Sequence, residues 1–500
     1  MAAAPAPVAL IAVFVNVLVI DLNNFGHYPT IGLGYLVAAL RSEGIMTSVL
    51  SPLALGVAFN DREPRPTWTN RLENRIYHST RPTLVAGRRM LTRMRVAWAT
   101  RTRRRIVREA SRLVAGVDVV LVSSYLEHRD VCGAIGRSAQ AQGVPMIVGG
   151  QAFTDPAIAA QWLELPGLAV LVGAESEPFV AELVKTTIEG GDLSAFPGAW
   201  LPDGRRGPAP VPLTSLDEIP FPDYDDFPWN RYERPIIPML AARGCSHGVC
   251  AFCSDVLAAN GRGFRPRRAA AVLQEMEHQA ERYQTSRFLF VDLKLNGDLD
   301  LWRGLHDGIP TRIPDAQWAG AVHVDGRTDN GLGLDDLRAA RCAGLVRLTT
   351  GVESGSAAVL QRMHKGTDLD RTAGFLERAK SAGISVRVTL ITGYPEEGAD
   401  DLEATVGFVR SHRDRMDRVQ VNRFAMQIGT EVHRDLIRNG SAFPDIRSYQ
   451  DDPLVGVVRL RSDTGRASSW RRAHRALLTE VDAINERPLS PCARAFEGYI

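Results

Sequence analysis

LVRLTTGVESGS, residues 345–356, starts with aliphatic and β-branched residues around a single arginine and ends on a glutamate and two serines. Gly344 closes a helical pattern just before it, so the stretch reads as a buried strand whose polar groups gather at its carboxyl end. The same unit recurs on both sides. Strands are expected at 236–242, 288–292, 317–324, 345–352, 384–391 and 418–427, with helical patterns between them. Six such units predict a barrel or part-barrel. On that frame Cys245 follows the first strand, Asp292 and Lys294 the second, and Asp325 and Arg327 the third. Glu353 and Ser354 follow the fourth; Gly393, Pro395 and Glu397 follow the fifth. Every one sits on the face where barrel enzymes assemble their sites.

Working toward the amino terminus, the first 195 residues have a different rhythm. Asn16–Asp21, DVVLVSS (118–124), PMIVGG (145–150) and AVLVGAE (169–175) are short apolar runs closed by small residues. Such runs are strands covered on both faces, as in a doubly wound parallel sheet with its ligand beyond the carboxyl ends. Between Pro197 and Pro235 nine prolines mark a linker lying extended over the surface. The expected organisation is a sheet domain over 1–195, a linker over 196–235, the barrel over 236–435 and a helical extension over 436–500. In that extension a helix near 470–485 is the only clear element.

The chain has 500 residues, 45% hydrophobic and 23% charged, with a net charge of +2. That is an ordinary globular composition, and the balance argues against a dedicated nucleic-acid binder. Pro7–Ile20 is apolar but shorter than the ~20 residues of a bilayer span and lacks a preceding Lys or Arg. No membrane association is expected, and a cytoplasmic location is. Residues 88–108 carry nine arginines and no acid, with Leu91, Met94 and Trp98 at helical spacing. They read as an inserted amphipathic helix with a solvated face, or as a docking surface for an acidic partner such as a carrier protein.

Three of the six cysteines fall within nine positions, in RGCSHGVCAFCS (243–254). This is too few for a disulfide scaffold, and the clustering favours a metal in a reducing compartment. His247 could complete a closed Cys3His zinc site. Three thiolates alone would instead hold an iron–sulfur cube with one iron open for a ligand. The loop by itself leaves both open. Cys132, Cys342 and Cys492 read as packed or surface thiols.

Together these segments resemble the cobalamin-binding class of the radical S-adenosylmethionine (SAM) family, over roughly residues 15 to 435. The resemblance is carried by Arg243-Gly244-Cys245, Phe252-Cys253, GVESGSAAVLQRMHKGT (351–367), Gly393, Pro395 and Glu397. LDEIPFPDYD (216–225) and the loops GGQAFTDP and VGAESEP add to it. Two departures stand out. Four residues separate Cys245 from Cys250 where the family has three. The Asp-x-His-x-x-Gly segment that ligates cobalt in many cobalamin proteins is absent, and DLNNFGH (21–27) follows the first strand instead.

The resemblance implies a Rossmann-like cobalamin domain followed by a partial (β/α)6 TIM-type barrel. It implies a 4Fe–4S cluster on Cys245, Cys250 and Cys253, and SAM bound by Phe252, Glu353, Ser354, Ile391, Gly393, Pro395 and Glu397. Cobalamin (as methylcobalamin) would lie on Ser123, Gly149, Gly150, Gly173 and Glu175. The chemistry implied is a 5′-deoxyadenosyl radical that takes hydrogen from an unactivated carbon, then C-methylation of a small-molecule or carrier-bound substrate. An external flavodoxin- or ferredoxin-type protein would supply electrons. Ring contraction, cyclisation or epimerisation without methyl transfer is the alternative, and a zinc-stabilised binding protein a lesser one. No residue is singled out as an acid or base.

Overall fold

The structure, a computed structural model, describes residues 15–23, 26–57, 67–257, 261 and 263–498. The apolar stretch before Val15 lies outside the described residues. Among the described residues no helix is long and apolar enough to cross a membrane.

The first sheet contains β1 (Asn16–Leu22), β2 (Met46–Leu50), β3 (Val119–Ser124), β4 (Met146–Gly149), β5 (Leu168–Val172) and β6 (Ala199–Trp200). Its order is β2-β1-β3-β4-β5-β6, parallel except for the antiparallel edge pair β5–β6. The chain leaves β1 for β2 on one side and returns to β3 on the other. The order therefore reverses between β1 and β3, which opens a crevice at their carboxyl ends. Val17, Leu18, Val19 and Ile20 are all buried, because helices cover both faces. The arginine-rich segment lies in the helix Pro82–Val114, within the β2–β3 connection. The side chains of Leu91, Met94 and Trp98 lie outside the described residues.

The second sheet follows. Its strands are β7 (Ile237–Met239), β10 (Arg287–Phe290), β11 (Gln317–Val322), β12 (Leu345–Glu353), β13 (Ser385–Thr392) and β14 (Arg418–Arg423). A short antiparallel pair, β8 (Ala242–Arg243) with β9 (Arg265–Pro266), interrupts it after β7. The order β7-β10-β11-β12-β13-β14 is sequential and wholly parallel. This is the partial barrel, with all six expected strands in place. Phe288, Phe290, Trp302 and Trp318 are fully buried where its outer face meets the helices.

Two expectations are corrected. The proline-rich segment runs over the surface only in its middle, where residues 202–215 are exposed or half-buried, while its two ends are built into the fold. Its start supplies β6 to the first sheet, and Tyr224 and Phe227 are buried further on. The Tyr224 ring fills the space where Gly34 of the helix Ile31–Ser42 lacks a side chain, and its backbone N–H donates to Tyr283 Oη at 2.7 Å on a barrel helix. Aromatic burial thus knits the two sheets together. The carboxy-terminal extension is not purely helical either. The hairpin β15 (Ile446–Asp452) with β16 (Val457–Ser462) precedes the helix Ser468–Asn485. β15 is polar and exposed along nearly its whole length, and β16 (VVRLRS) alternates over only two apolar positions, Val458 and Leu460.

Candidate active site at the carboxyl ends of the strands

After β7 the chain turns through Gly244, whose φ is +82° and whose missing Cβ would collide with Gly263 O. Only glycine suits that position. Cys245, Cys250 and Cys253 follow on one loop, all free and partly buried. The Cys253 N–H donates to Cys250 O at 3.1 Å. Ala251, between them, donates to Met363 O and accepts from Val432 N, both at 2.9 Å. Burial pushes the Cys253 thiol up to about 12 and raises Cys250, where Lys365 works in the opposite direction. Burial thus opposes ionisation of these two thiols, and a bound metal would have to displace their protons. His247 is turned aside: its ring stacks on His323 at 4.7 Å and its Nε2 lies 2.9 Å from His364 O. Among the described residues no three His, Cys, Asp or Glu side chains converge on one point where a single metal ion would sit. The three thiols suit a polynuclear group touched at separate corners, which is the donor set of an iron–sulfur cube.

Around this loop the barrel strands end in charge. Asp292, after β10, accepts from Ala241 N at 3.1 Å and Ala242 N at 2.6 Å, and burial pushes it up to about 7. It ties the strand end to the start of the cysteine loop. Lys294 pairs with Asp325 at 2.7 Å, and Arg327 reaches the same carboxylate at 2.8 Å. Those two cations hold Asp325 well below the usual carboxylate range despite its burial. His323, absent from the sequence reading, is also here. Burial, then Lys365, drive its pKa down to about 2, and its Nε2 is buried without a hydrogen-bond partner. A lone histidine just past a strand gives no periodic signal.

Glu353 ends β12 in a strained conformation. The β12–β13 register shifts between Gly351 and Glu353, Glu353 has φ +62°, and the Ser354 N–H donates to Val352 O at 2.8 Å. A non-glycine residue held this way costs about 1–3 kcal/mol and marks sites where a side chain is aimed. The carboxylate folds back over Gly351, where an added Cβ would strike Oε1. It pairs with Lys365 Nζ at 3.3 Å and accepts from Thr389 Oγ1 at 3.4 Å. Lys365 also lies 5.9 Å from the Phe252 ring centroid.

The remaining expected SAM contacts divide. Phe252 and Ile391 pack in one apolar cluster with Ala251, Tyr394 and Met426. In the Gly393–Glu397 turn, Glu397 Oε2 accepts from Gly393 N at 2.6 Å, while Oε1 is buried without a partner and burial pushes the group up to about 8. Pro395 is buried in the same turn. Ser354 serves its own loop: its Oγ accepts from Ser356 N at 3.1 Å and lies 3.3 Å from Thr405 Oγ1.

On the first sheet, Asn23 Nδ2 donates to Ser123 Oγ at 2.8 Å across the β1–β3 switch point. Asp21, raised by burial, accepts from Thr30 Oγ1 at 2.6 Å beside it. These acid and amide partners were not legible without β2, which defines the switch. An added Cβ on Gly149 would meet only Val172 O at 3.9 Å, so a ligand has room there. At Gly150 and Gly173 the missing side chains also make room for neighbours in the chain, Ser124 O and the Phe153 ring at the first and the Phe153 backbone at the second. Glu175 is engaged across the two sheets. Its oxygens accept from Leu213 N at 2.6 Å and Arg265 at 2.8 and 2.9 Å, and pair with Arg243 at 3.1 Å. Three hydrogen bonds and an ion pair thus engage this carboxylate within the chain.

Residues 239–409 match the sequence model of the radical SAM superfamily. The chain is 27% identical over 259 residues to an uncharacterized methyltransferase of Pyrococcus horikoshii, covering 49% of this chain and 54% of the relative. It is 24% identical over 303 residues to bacteriochlorophyllide d C-12(1)-methyltransferase of Chlorobaculum tepidum, covering 60% of this chain and 62% of the relative. The chain thus spans less than two thirds of the length of these relatives. Its fold is similar to that of the radical SAM methyltransferase TsrM of Kitasatospora setae, solved with cobalamin and a 4Fe–4S cluster bound. The TM-score is 0.65 at 17% identity, covering 95% of this chain and 92% of that one.

Proposed function

We propose that this chain, whose barrel is a radical SAM domain, is a cobalamin-dependent C-methyltransferase acting on an unactivated carbon of a small molecule. The observation that carries the reading is the loop of three partly buried thiols beside the strained Glu353 and its partner Lys365. The likeness to a radical SAM methyltransferase over nearly the whole chain supports it.

When bound, a 4Fe–4S cluster with SAM supplies a carbon radical able to remove hydrogen from an unreactive position, and methylcobalamin supplies the methyl group. The chain holds and orients these groups. Cys245, Cys250 and Cys253 are the thiolate donors. Buried Lys365 offsets the negative charge that Cys250 and Cys253 gain on ionising. Glu353, fixed by its backbone turn, takes the polar end of SAM. Phe252, Ile391 and the Gly393–Glu397 turn form the wall for its nucleoside. Ser123 and Gly149, at the carboxyl ends of β3 and β4, border the crevice for cobalamin.

Anaerobic reconstitution with iron, sulfide and cobalamin, followed by absorption spectra and metal analysis, tests this. The reading expects about four irons per chain together with a corrin spectrum. Iron without cobalt would move it to radical chemistry without methyl transfer. Zinc alone would overturn it.

A further inference from the structure

The cysteine loop stands on a very short stem. β8 and β9 contribute two residue pairs, Ala242 with Pro266 and Arg243 with Arg265, and Pro266 has no N–H to give. Backbone hydrogen bonds alone do little to hold so small a ladder. The second pair also sets two arginines directly opposite one another, an arrangement that pushes strands apart. Their guanidinium groups are largely buried, so water screens them poorly.

One carboxylate from the other sheet lies between them. Glu175, on the loop after β5, pairs with Arg243 at 3.1 Å and takes both Arg265 terminal nitrogens, at 2.8 and 2.9 Å. Glu177, two residues on, takes the second Arg243 nitrogen at 2.6 Å. Two guanidinium and two carboxylate groups balance in charge. Burial works against ionisation of Glu175, yet its partners hold it below the usual carboxylate range. Arg243 is two residues before Cys245, and Gly244 between them is wedged against Gly263 O. Whatever moves the stem moves the first thiol.

We propose that Glu175 is a positioning residue that clasps both stems of the cysteine loop, so that the first sheet fixes the geometry of the thiol site on the second. This rests on the reading of Cys245, Cys250 and Cys253 as cluster ligands, and it gives the charge balance at the seam a purpose in that site. The loop carrying Glu175 leaves the carboxyl edge of the first sheet, where ligands of such sheets bind. A ligand that displaces this loop changes the clasp, and through it the setting of Cys245.

The test uses the full-length chain, first without metal. Each cysteine is alkylated with iodoacetamide under reducing conditions and its rate is read by peptide mass spectrometry, with exposed Cys342 as internal reference. Glu175→Gln is expected to raise the Cys245 rate severalfold relative to Cys342. Adding Arg265→Gln, which removes the repulsion, is expected to bring it back toward wild type. Where Glu175→Gln does not accumulate, Glu177→Gln is expected to show a smaller rise. In reconstituted protein, iron loss to a chelator should follow the same order. Unchanged Cys245 rates in Glu175→Gln, or a double variant as fast as the single one, would overturn the proposal. Wild-type protein that takes up no iron while the alkylation order holds would overturn the cluster reading and leave the clasp standing.

Discussion

Lys365 Nζ lies 3.3 Å from Glu353 Oε1, and both side chains are less than a tenth exposed. The glutamate ends the strand β12 at positive φ; the lysine arrives from beyond the helix Ala357–Arg362. The two are twelve positions apart, and the segment between them also supports the middle of the cysteine loop, through Met363 O to Ala251 N. A buried pair this close to three thiols is an arrangement of charge for binding more than for stability, because such pairs gain little over apolar replacements.

Breaking it should therefore be costly in two ways. Lys365→Met leaves Glu353 as an uncompensated buried carboxylate, which destabilises the fold by about 3–5 kcal/mol. It also removes the charge that lowers the Cys250 thiol toward ionisation, so iron uptake should fall. Lys365→Arg should retain more of both. Denaturant midpoints and iron content of the two variants check this.

Gly351→Ala separates aim from stability. The new methyl would occupy the place of Glu353 Oε1 and lie 2.9 Å from Lys365 Nζ, forcing the carboxylate off its line. SAM affinity measured by calorimetry on the reconstituted protein is expected to fall about tenfold or more, equivalent to about 1.4 kcal/mol. An unchanged affinity would mean that Glu353 does not contact the ligand.

The apolar strands were legible because burial on both faces demands unbroken runs such as VLVI (17–20) and VVLV (119–122). β2 was not. At the sheet edge Met46–Leu50 is exposed at alternate positions, and MTSVL is too short and mixed to stand out. With it went the switch point and the Asp21–Asn23–Ser123 partners. The partners of Glu175 were hidden for another reason. Its partners Arg265 and Leu213 are 90 and 38 residues away, and no local pattern marks an ion pair closed by the docking of two sheets. The clustering of the thiols was visible from local spacing, but the loop alone did not say which metal group they would hold. That His247 turns toward His323 could only come from three dimensions.

The assignment of thiols makes a direct forecast. Replacing Cys245, Cys250 or Cys253 by alanine should remove most of the reconstituted iron. Cys342→Ala should not, since that residue is exposed and outside the loop. Cys132 is buried, its thiol pushed up to about 12 and bonded to Ser124 Oγ at 3.4 Å. Cys132→Ala should lower stability and leave iron per folded chain unchanged. Iron analysis beside a melting curve separates the two effects.

Glu397 supplies a pH dependence whose sign follows from its environment. Burial raises its carboxyl from 4.5 to about 8, so between those values the folded chain holds a proton that the unfolded chain has released. Stability from this group is complete below 4.5 and is lost as pH rises toward 8, by up to about 1.4 kcal/mol per pH unit. Glutamine keeps an acceptor for the Gly393 N–H and has no proton to lose. The stability difference between Glu397→Gln and wild type should therefore grow from pH 5 to pH 8 in favour of the variant, read as denaturant midpoints across that range. A constant difference would mean that the wild-type carboxylate ionises freely in the folded turn.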